Sequence, residues 1–163
     1  MNVPPKAAAW LPGRQIATPL GEKAWIRQLE QLVVDCTEAD RGDERALLRE
    51  MALLLRLAPR GLSGRAGAPT NPHQFETMLT AQAWESAALL LLGDEAGYML
   101  SRGENQTHLA SIFLPGMTED VTATGASAAL AVMAAQAAAL AVSARLAMAV
   151  GLAGAAGNSG LLN

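Results

Sequence analysis

Residues 127–150 read SAALAVMAAQAAALAVSARLAMAV, a run of alanine interrupted by larger apolar side chains and by Gln136. Alanine has the highest helix propensity of all residues, so this stretch predicts one long helix. At 100° per residue its large side chains spread around almost the whole circumference instead of forming one stripe. A helix without a polar face is not stable in water, so we expect other parts of the chain to cover it on more than one side.

The same composition raises the question of a membrane span. Residues 126–144 carry no charge and are long enough to cross a bilayer. However, alanine is close to neutral for insertion, Gln136 and the serines are unfavourable, and Arg145 is the only positive anchor at the flanks. Small side chains also allow close packing against other helices or a sheet. We therefore expect a core helix or a self-associating surface, with membrane contact as the alternative.

Three segments before this helix predict an antiparallel sheet. Residues 98–102, 107–114 and 121–124 are rich in β-branched and aromatic residues, and turn sequences containing Gly103 and Gly116 separate them. The middle segment has apolar residues on both faces, which is typical of a central strand covered on each side. A three-stranded meander leading into the long helix is therefore expected.

The first half of the chain is predicted to be helical. Thr18-Pro19 and Asn71-Pro72 are typical helix starts, and Pro59 ends a helix. Apolar residues at helical spacing predict helices over residues 19–37, from after Asp43 to residue 58, and over 72–92. The first two helices would form an antiparallel hairpin. The fold class is α+β: a helical hairpin, a helix, the meander and the long alanine-rich helix.

Composition also suggests how the chain is organised. Gly, Pro and Arg without an apolar period indicate linkers, and glycines near the end indicate a loose tail. The predicted units are an extended arm at 1–17, a helical hairpin at 18–58, a linker at 59–72, an α-βββ-α domain at 73–150 and a flexible tail at 151–163. The arm is either disordered or docks on a partner through Trp10.

Charge and cysteine content narrow the partners and the compartment. The chain of 163 residues has a net charge of −3, so it lacks the basic field that attracts nucleic acid. The single cysteine, Cys36, excludes an internal disulfide and favours a reducing compartment. The N-terminus lacks the apolar stretch of a secretory signal. We expect a cytoplasmic protein that binds neither nucleic acid nor membrane.

The residues that could carry chemistry lie apart in the sequence. His73 falls in a predicted first helical turn and His108 in a strand, and neither has companions that would make a metal or acid–base site. Cys36 lies on the apolar face of a helix near its C-terminus, where a thiol is an unreactive hydrophobic residue. The sequence predicts no catalytic residue, no cofactor and no metal, and hence no enzyme.

The C-terminal half resembles a known family. The order GYMLS at 97–101, SIFLPG at 111–116 and VTATGASAALA at 121–131 is similar to the phage ABA sandwich domains found in phage and prophage genomes. The shared pattern is a short strand, a helix start of small residues and a helix rich in alanine and leucine. The resemblance covers about residues 74–148. It implies a phage or prophage origin, in the host cytoplasm or the virion, and no particular activity.

These observations favour a non-enzymatic protein that acts by protein–protein interaction or assembly, a phage or prophage accessory or structural component that forms a homo-oligomer. The alternatives are a phage-type regulator that binds and inhibits a host protein, and a small enzyme of unrecognised class. The large apolar residues of the last helix and the tryptophan of the arm are the expected contacts: Trp10, Leu130, Met133, Leu140 and Met148.

Overall fold

The computed structural model describes residues 18–62 and 71–158, with side chains described as far as residue 151. Within these ranges five α-helices accompany one sheet, and the predicted α+β class is confirmed. The elements in chain order are α1 (Glu22–Glu38), α2 (Glu44–Arg56), α3 (Pro72–Thr80), α4 (Trp84–Leu92), β1 (Gly97–Arg102), β2 (His108–Phe113), β3 (Val121–Gly125) and α5 (Ala128–Asn158).

Helices α1 and α2 form the predicted antiparallel hairpin. The buried indole Nε1 of Trp25 donates a hydrogen bond to the carbonyl oxygen of Leu54 at 2.8 Å. Further along, the backbone N–H of Leu20 donates to the carbonyl of Leu57 at 2.9 Å. These bonds join the start of α1 to the end of α2, so the two helices run in opposite directions.

The sheet is the predicted meander, with strand order β1-β2-β3 and antiparallel pairing throughout. The middle strand is central in the sheet as expected, but it is not covered on both faces, because Phe113 on the face away from Ala110 and Ile112 is 43% exposed. Ala110 and Ile112 of β2 are fully buried. Because side chains alternate along a strand, His108 shares their face, and so does Gly125, which lies opposite His108 on β3. This face of the sheet packs against α5.

Helix α5 is the centre of the molecule. It packs against α1, β2, β3 and α4, and a smaller contact reaches α2. The fully buried side chains of its first half include Leu130, Val132, Met133 and Gln136, which point in different directions around the helix axis. The prediction that this helix is covered on more than one side is confirmed for its first half, whereas Leu146 and Val150 in its second half are exposed.

Gly125 allows the first turn of α5 to lie directly on the end of β3. A Cβ atom at this position would lie 2.6 Å from the backbone nitrogen of Ala131 and 2.9 Å from the carbonyl carbon of Leu130. Real Cβ atoms do not approach that closely, so any larger residue would push the helix and strand apart. Ser127 then caps the helix, because its Oγ accepts a hydrogen bond from the N–H of Leu130 at 3.3 Å.

The single helix predicted over residues 72–92 is wrong, because the chain breaks it into α3 and α4. Gln82 adopts a left-handed conformation with φ 56°. Its N–H donates to the carbonyl of Leu79, and the N–H of Ala83 donates to the carbonyl of Met78. This pair of bonds is the Schellman arrangement that ends helices, usually with glycine at the left-handed position. With glutamine there, the sequence gives no such signal.

The observed end of the last helix also differs from its predicted end. Helix α5 continues to Asn158, beyond its predicted end near residue 150. A glycine inside a helix costs about 1 kcal/mol relative to alanine, and the alanines between the glycines sustain the helix. The predicted arm at 1–17, most of the predicted linker and residues 159–163 of the predicted tail lie outside the described residues. One hydrophobic core includes residues from the hairpin and from the α-βββ-α unit.

Candidate functional site

The residues expected to contact a partner lie mostly inside the molecule. Leu130 and Met133 are fully buried and Leu140 is 2% exposed, all within the chain's own core. Met148 is partly buried against that core, and Trp10 lies outside the described residues. The first three therefore cannot form an external surface, because α1, the sheet and α4 already surround this half of the helix.

The exposed apolar residues of α5 lie further along. Val142, Leu146 and Val150 are 38%, 56% and 73% exposed. Their four-residue spacing places them on one face of the helix. We call these three residues the α5 stripe. Their exposure rises along the helix because α5 leaves its covering elements in this direction.

The segment of α5 that carries the stripe has little charge of its own. No acidic residue occurs between residues 126 and 158. The one basic residue of this stretch, Arg145, forms an ion pair with Glu30 of α1. Ala149 and Gly151 beside the stripe are exposed and small. A second surface could therefore approach the stripe closely without burying an unpaired charge.

A second group of exposed apolar residues lies on the sheet. Tyr98 and Met99 of β1 and Phe113 at the end of β2 are all exposed. β1 pairs with β2 on one side, and no other described strand pairs with its second edge. Tyr98 lies on the face that packs against α5, whereas Met99 and Phe113 lie on the opposite face, so the three residues do not form one patch. The open edge itself can accept another strand.

A cleft of about 480 Å³ opens where the sheet meets the starts of α4 and α5. Its wall contains Arg102 of β1, His108 of β2 and Arg41, which lies between α1 and α2. The first turns of α4 and α5 complete the lining. Sequence reasoning missed this site because Arg41 comes from a part of the chain far from the hairpin that carries Arg102 and His108.

The two histidines, which the sequence analysis did not assign to a metal site, lie far apart in the fold. His73 lies at the start of α3, whereas His108 lies in β2 beside the cleft. Across residues 18–62 and 71–158, no group of three His, Cys, Asp or Glu side chains could hold a metal ion.

Cys36 is fully buried, in agreement with its expected role as a small hydrophobic residue. Burial raises the pKa of its thiol to about 12, and the nearby carboxylates of Glu50 and Asp35 act in the same direction. A nucleophilic cysteine needs a lowered pKa and access to solvent, and this thiol has neither.

One described helix is long and apolar enough to cross a membrane, over Ala128–Gly151, but 78% of that window is buried inside the fold. The central helix of a water-soluble protein meets the same length and composition criteria. The burial of its first half against α1, α4 and the sheet accounts for its apolar character.

Comparisons of the chain with protein-family models, with curated proteins and with solved structures give no match. The resemblance of residues 74–148 to the phage ABA sandwich domains therefore stays a prediction from the sequence.

Proposed function

We propose that this is a non-enzymatic assembly protein that associates with a second copy of itself through the α5 stripe. The observation that carries the proposal is the alignment of three exposed large apolar residues on one helical face. Single exposed apolar residues are common on protein surfaces, whereas a continuous apolar stripe is typical of a contact surface.

The stripe is self-complementary. In an antiparallel pairing about a two-fold axis, Leu146 of each copy would lie at the centre, and Val142 of one copy would face Val150 of the other. The exposed Ala149 allows the two helices to come close. No acidic side chain of this stretch opposes the pairing, and Arg145 already has Glu30 as its partner.

The expected association is weak. Burying a valine or leucine completely contributes about 1.5–3 kcal/mol, and the stripe residues are only partly exposed to begin with. Stable dimers bury about 800 Å² on each partner, more than three such side chains provide. We therefore expect a dimer whose population depends on protein concentration.

The resemblance of residues 74–148 supports placing this assembly protein among phage or prophage accessory or structural components, in the host cytoplasm or the virion. A regulator that binds a host protein is the alternative use of the same surface. In that case the stripe would contact a different protein, and the isolated chain would stay monomeric at all concentrations.

Sedimentation equilibrium over a range of concentrations tests the proposal. Leu146→Glu places a charge at the centre of the stripe and should give a monomer throughout. Leu53→Glu is the matched control, because Leu53 is a similarly exposed leucine on α2, 49% exposed. We expect the unmodified chain and Leu53→Glu to dimerise as concentration rises. An unmodified chain that stays monomeric, or a Leu146→Glu variant that dimerises equally well, would contradict the proposal.

A further inference from the structure

The cleft lies at one end of the sheet, where residues of all three strands meet. Arg102 of β1 is paired with His108 of β2, which in turn is paired with Gly125 of β3. All three are on the face that packs against α5. Because α5 begins just after Gly125, its first turn forms the opposite wall. The cleft has a volume of about 480 Å³ and is widely open to solvent.

Hydrogen bonds fix one of the two arginines at the wall. The Nε of Arg41 donates to the carbonyl oxygen of Ala126 at 2.9 Å, and its Nη2 donates to Oε1 of Gln106 at 3.4 Å. A guanidinium has five N–H donors, so these two bonds leave donors for a ligand. Arg41 therefore enters the site already positioned.

The charges of the cleft are not balanced. Two other arginines of the protein, Arg49 and Arg145, pair with glutamates. Neither Arg41 nor Arg102 forms an ion pair with a residue in the described parts of the chain. Glu85 is the one acidic residue among those lining the cleft. Two arginines with one carboxylate favour an anionic ligand.

The backbone adds donors to the same cavity. Helix α4 has no side-chain cap, so the N–H groups of Trp84, Glu85 and Ser86 have no acceptor within the helix. In α5, Ser127 caps Leu130 and leaves the N–H groups of Ala128 and Ala129. All five residues line the cleft. Two helix starts with their partial positive charge thus reinforce the arginines.

From the two arginines in a common cavity we propose that this cleft binds a phosphate group, either free or carried by a small molecule. The planar guanidinium matches the geometry of two phosphate oxygens, and a phosphate accepts several hydrogen bonds at once. The cleft has room for more than the ion itself, and Trp84, whose ring carries the Arg45 guanidinium 5.8 Å from its centroid, is one of the residues that line it. This site is separate from the α5 stripe.

The test is an NMR titration of the ¹⁵N-labelled full chain at constant ionic strength. Inorganic phosphate and a nucleoside 5′-monophosphate are added separately, with sodium chloride balancing the salt. We expect saturable shifts of the amide signals of Trp84, Glu85, Ser86, Ala128 and Ala129. Tighter binding of the monophosphate would assign the phosphate to a small molecule, whereas equal binding would assign it to the free ion.

Two variants make the test specific. Arg102→Gln removes one cation of the cleft and should weaken binding about tenfold. Arg27→Gln removes an exposed arginine of α1 outside the cleft and should leave binding unchanged. Unshifted signals elsewhere in the spectrum confirm that each variant is folded. Shifts that do not saturate with either ligand, or equal binding by the Arg102→Gln variant and the unmodified chain, would overturn the proposal.

Discussion

The two halves of α5 have the same kind of sequence and opposite environments. Up to residue 144 the helix is mostly buried, with Val142 as the exposed large residue, and Leu130, Val132 and Met133 have no exposed surface. From Arg145 onward one face of the helix leaves the core, so that Leu146 and Val150 are mostly exposed while Met148 stays partly buried against the core. Alanine with a large apolar residue every few positions occurs in both halves. Composition therefore identifies the helix, whereas its neighbours decide which half is core.

A polar residue marks the buried half. Gln136 is almost completely buried, and its Nε2 donates to the carbonyl oxygen of Leu91 in α4 at 2.9 Å. Its Oε1 has no hydrogen-bond partner within the described structure. Such a directional bond fixes the position of α5 against α4 in a way that alanine packing alone does not. In the exposed half the directional contact is the ion pair of Arg145 with Glu30 of α1, which lies at the surface.

The largest expected difference in stability is between leucine-to-alanine substitutions in the two halves of α5. Leu130→Ala removes a fully buried side chain and should lower the free energy of unfolding by about 2–5 kcal/mol. Leu146→Ala removes a side chain that is mostly in water, so the monomer should lose less than about 0.5 kcal/mol. Urea unfolding at low protein concentration measures both values. Similar losses for the two variants would break the distinction between the halves.

A second pair concerns glycines. Gly125→Ala forces a Cβ against the backbone of the buried first turn and should destabilise by about 1–3 kcal/mol. Gly151→Ala, in the exposed half, meets nothing within 4 Å and should stabilise the helix by up to about 1 kcal/mol. Thermal unfolding of both variants gives the signs. Opposite signs sharpen the comparison, and a stable Gly125→Ala variant would show that α5 does not press on β3 as described.

The rate at which a cysteine is alkylated shows whether its position is buried or exposed. Because burial raises the pKa of Cys36 to about 12, native protein at pH 8 should react with iodoacetamide only when it unfolds. A cysteine introduced by Ala149→Cys in the exposed half should react at the rate of a free thiol. Mass spectrometry over time separates the two sites. Rapid native labelling of Cys36 would contradict its place in the core.

The smallest expected change in stability is at Glu50 of α2, outside α5. Burial and the carboxylate of Asp35 raise the pKa of Glu50 in the folded state. The folded state then binds this proton more tightly than the unfolded state, so stability falls as pH rises through the folded pKa. Glu50→Gln should slightly raise Tm at pH 7 and have no effect at a pH below the ordinary carboxyl pKa. The opposite pH dependence would contradict the assigned cause.

The sequence predicts most elements of the fold and little of its surface. The strands follow from runs of β-branched and aromatic residues, and the hairpin follows from apolar spacing and from Pro59. The break at Gln82 carries no signal, because glutamine is unusual at a left-handed position. Leu130, Met133 and Leu140 were expected to contact a partner but lie in the core. The sequence could not show this, because the composition of α5 is uniform and does not reveal where the helix leaves its neighbours.

The cleft was beyond sequence reasoning for a different reason. Arg41 is distant in the chain from Arg102 and His108, and no spacing rule joins it to them. The pairing of β1 with β2 places Arg102 beside His108, and a hydrogen bond to the carbonyl of Ala126 holds Arg41 just before the start of α5. Because the fold brings these residues together, a motif search in one sequence does not find such a site.

Hydrogen exchange measured by mass spectrometry, in dilute and in concentrated protein, tests the division of α5 most directly. We predict that peptides from residues 128–144 exchange slowly at both concentrations, because the core protects them in the monomer. Peptides from residues 145–158 should exchange quickly in dilute solution and slowly in concentrated solution, where a second copy covers the stripe. Uniform exchange along the helix, or rapid exchange of residues 145–158 at every concentration, would contradict the account.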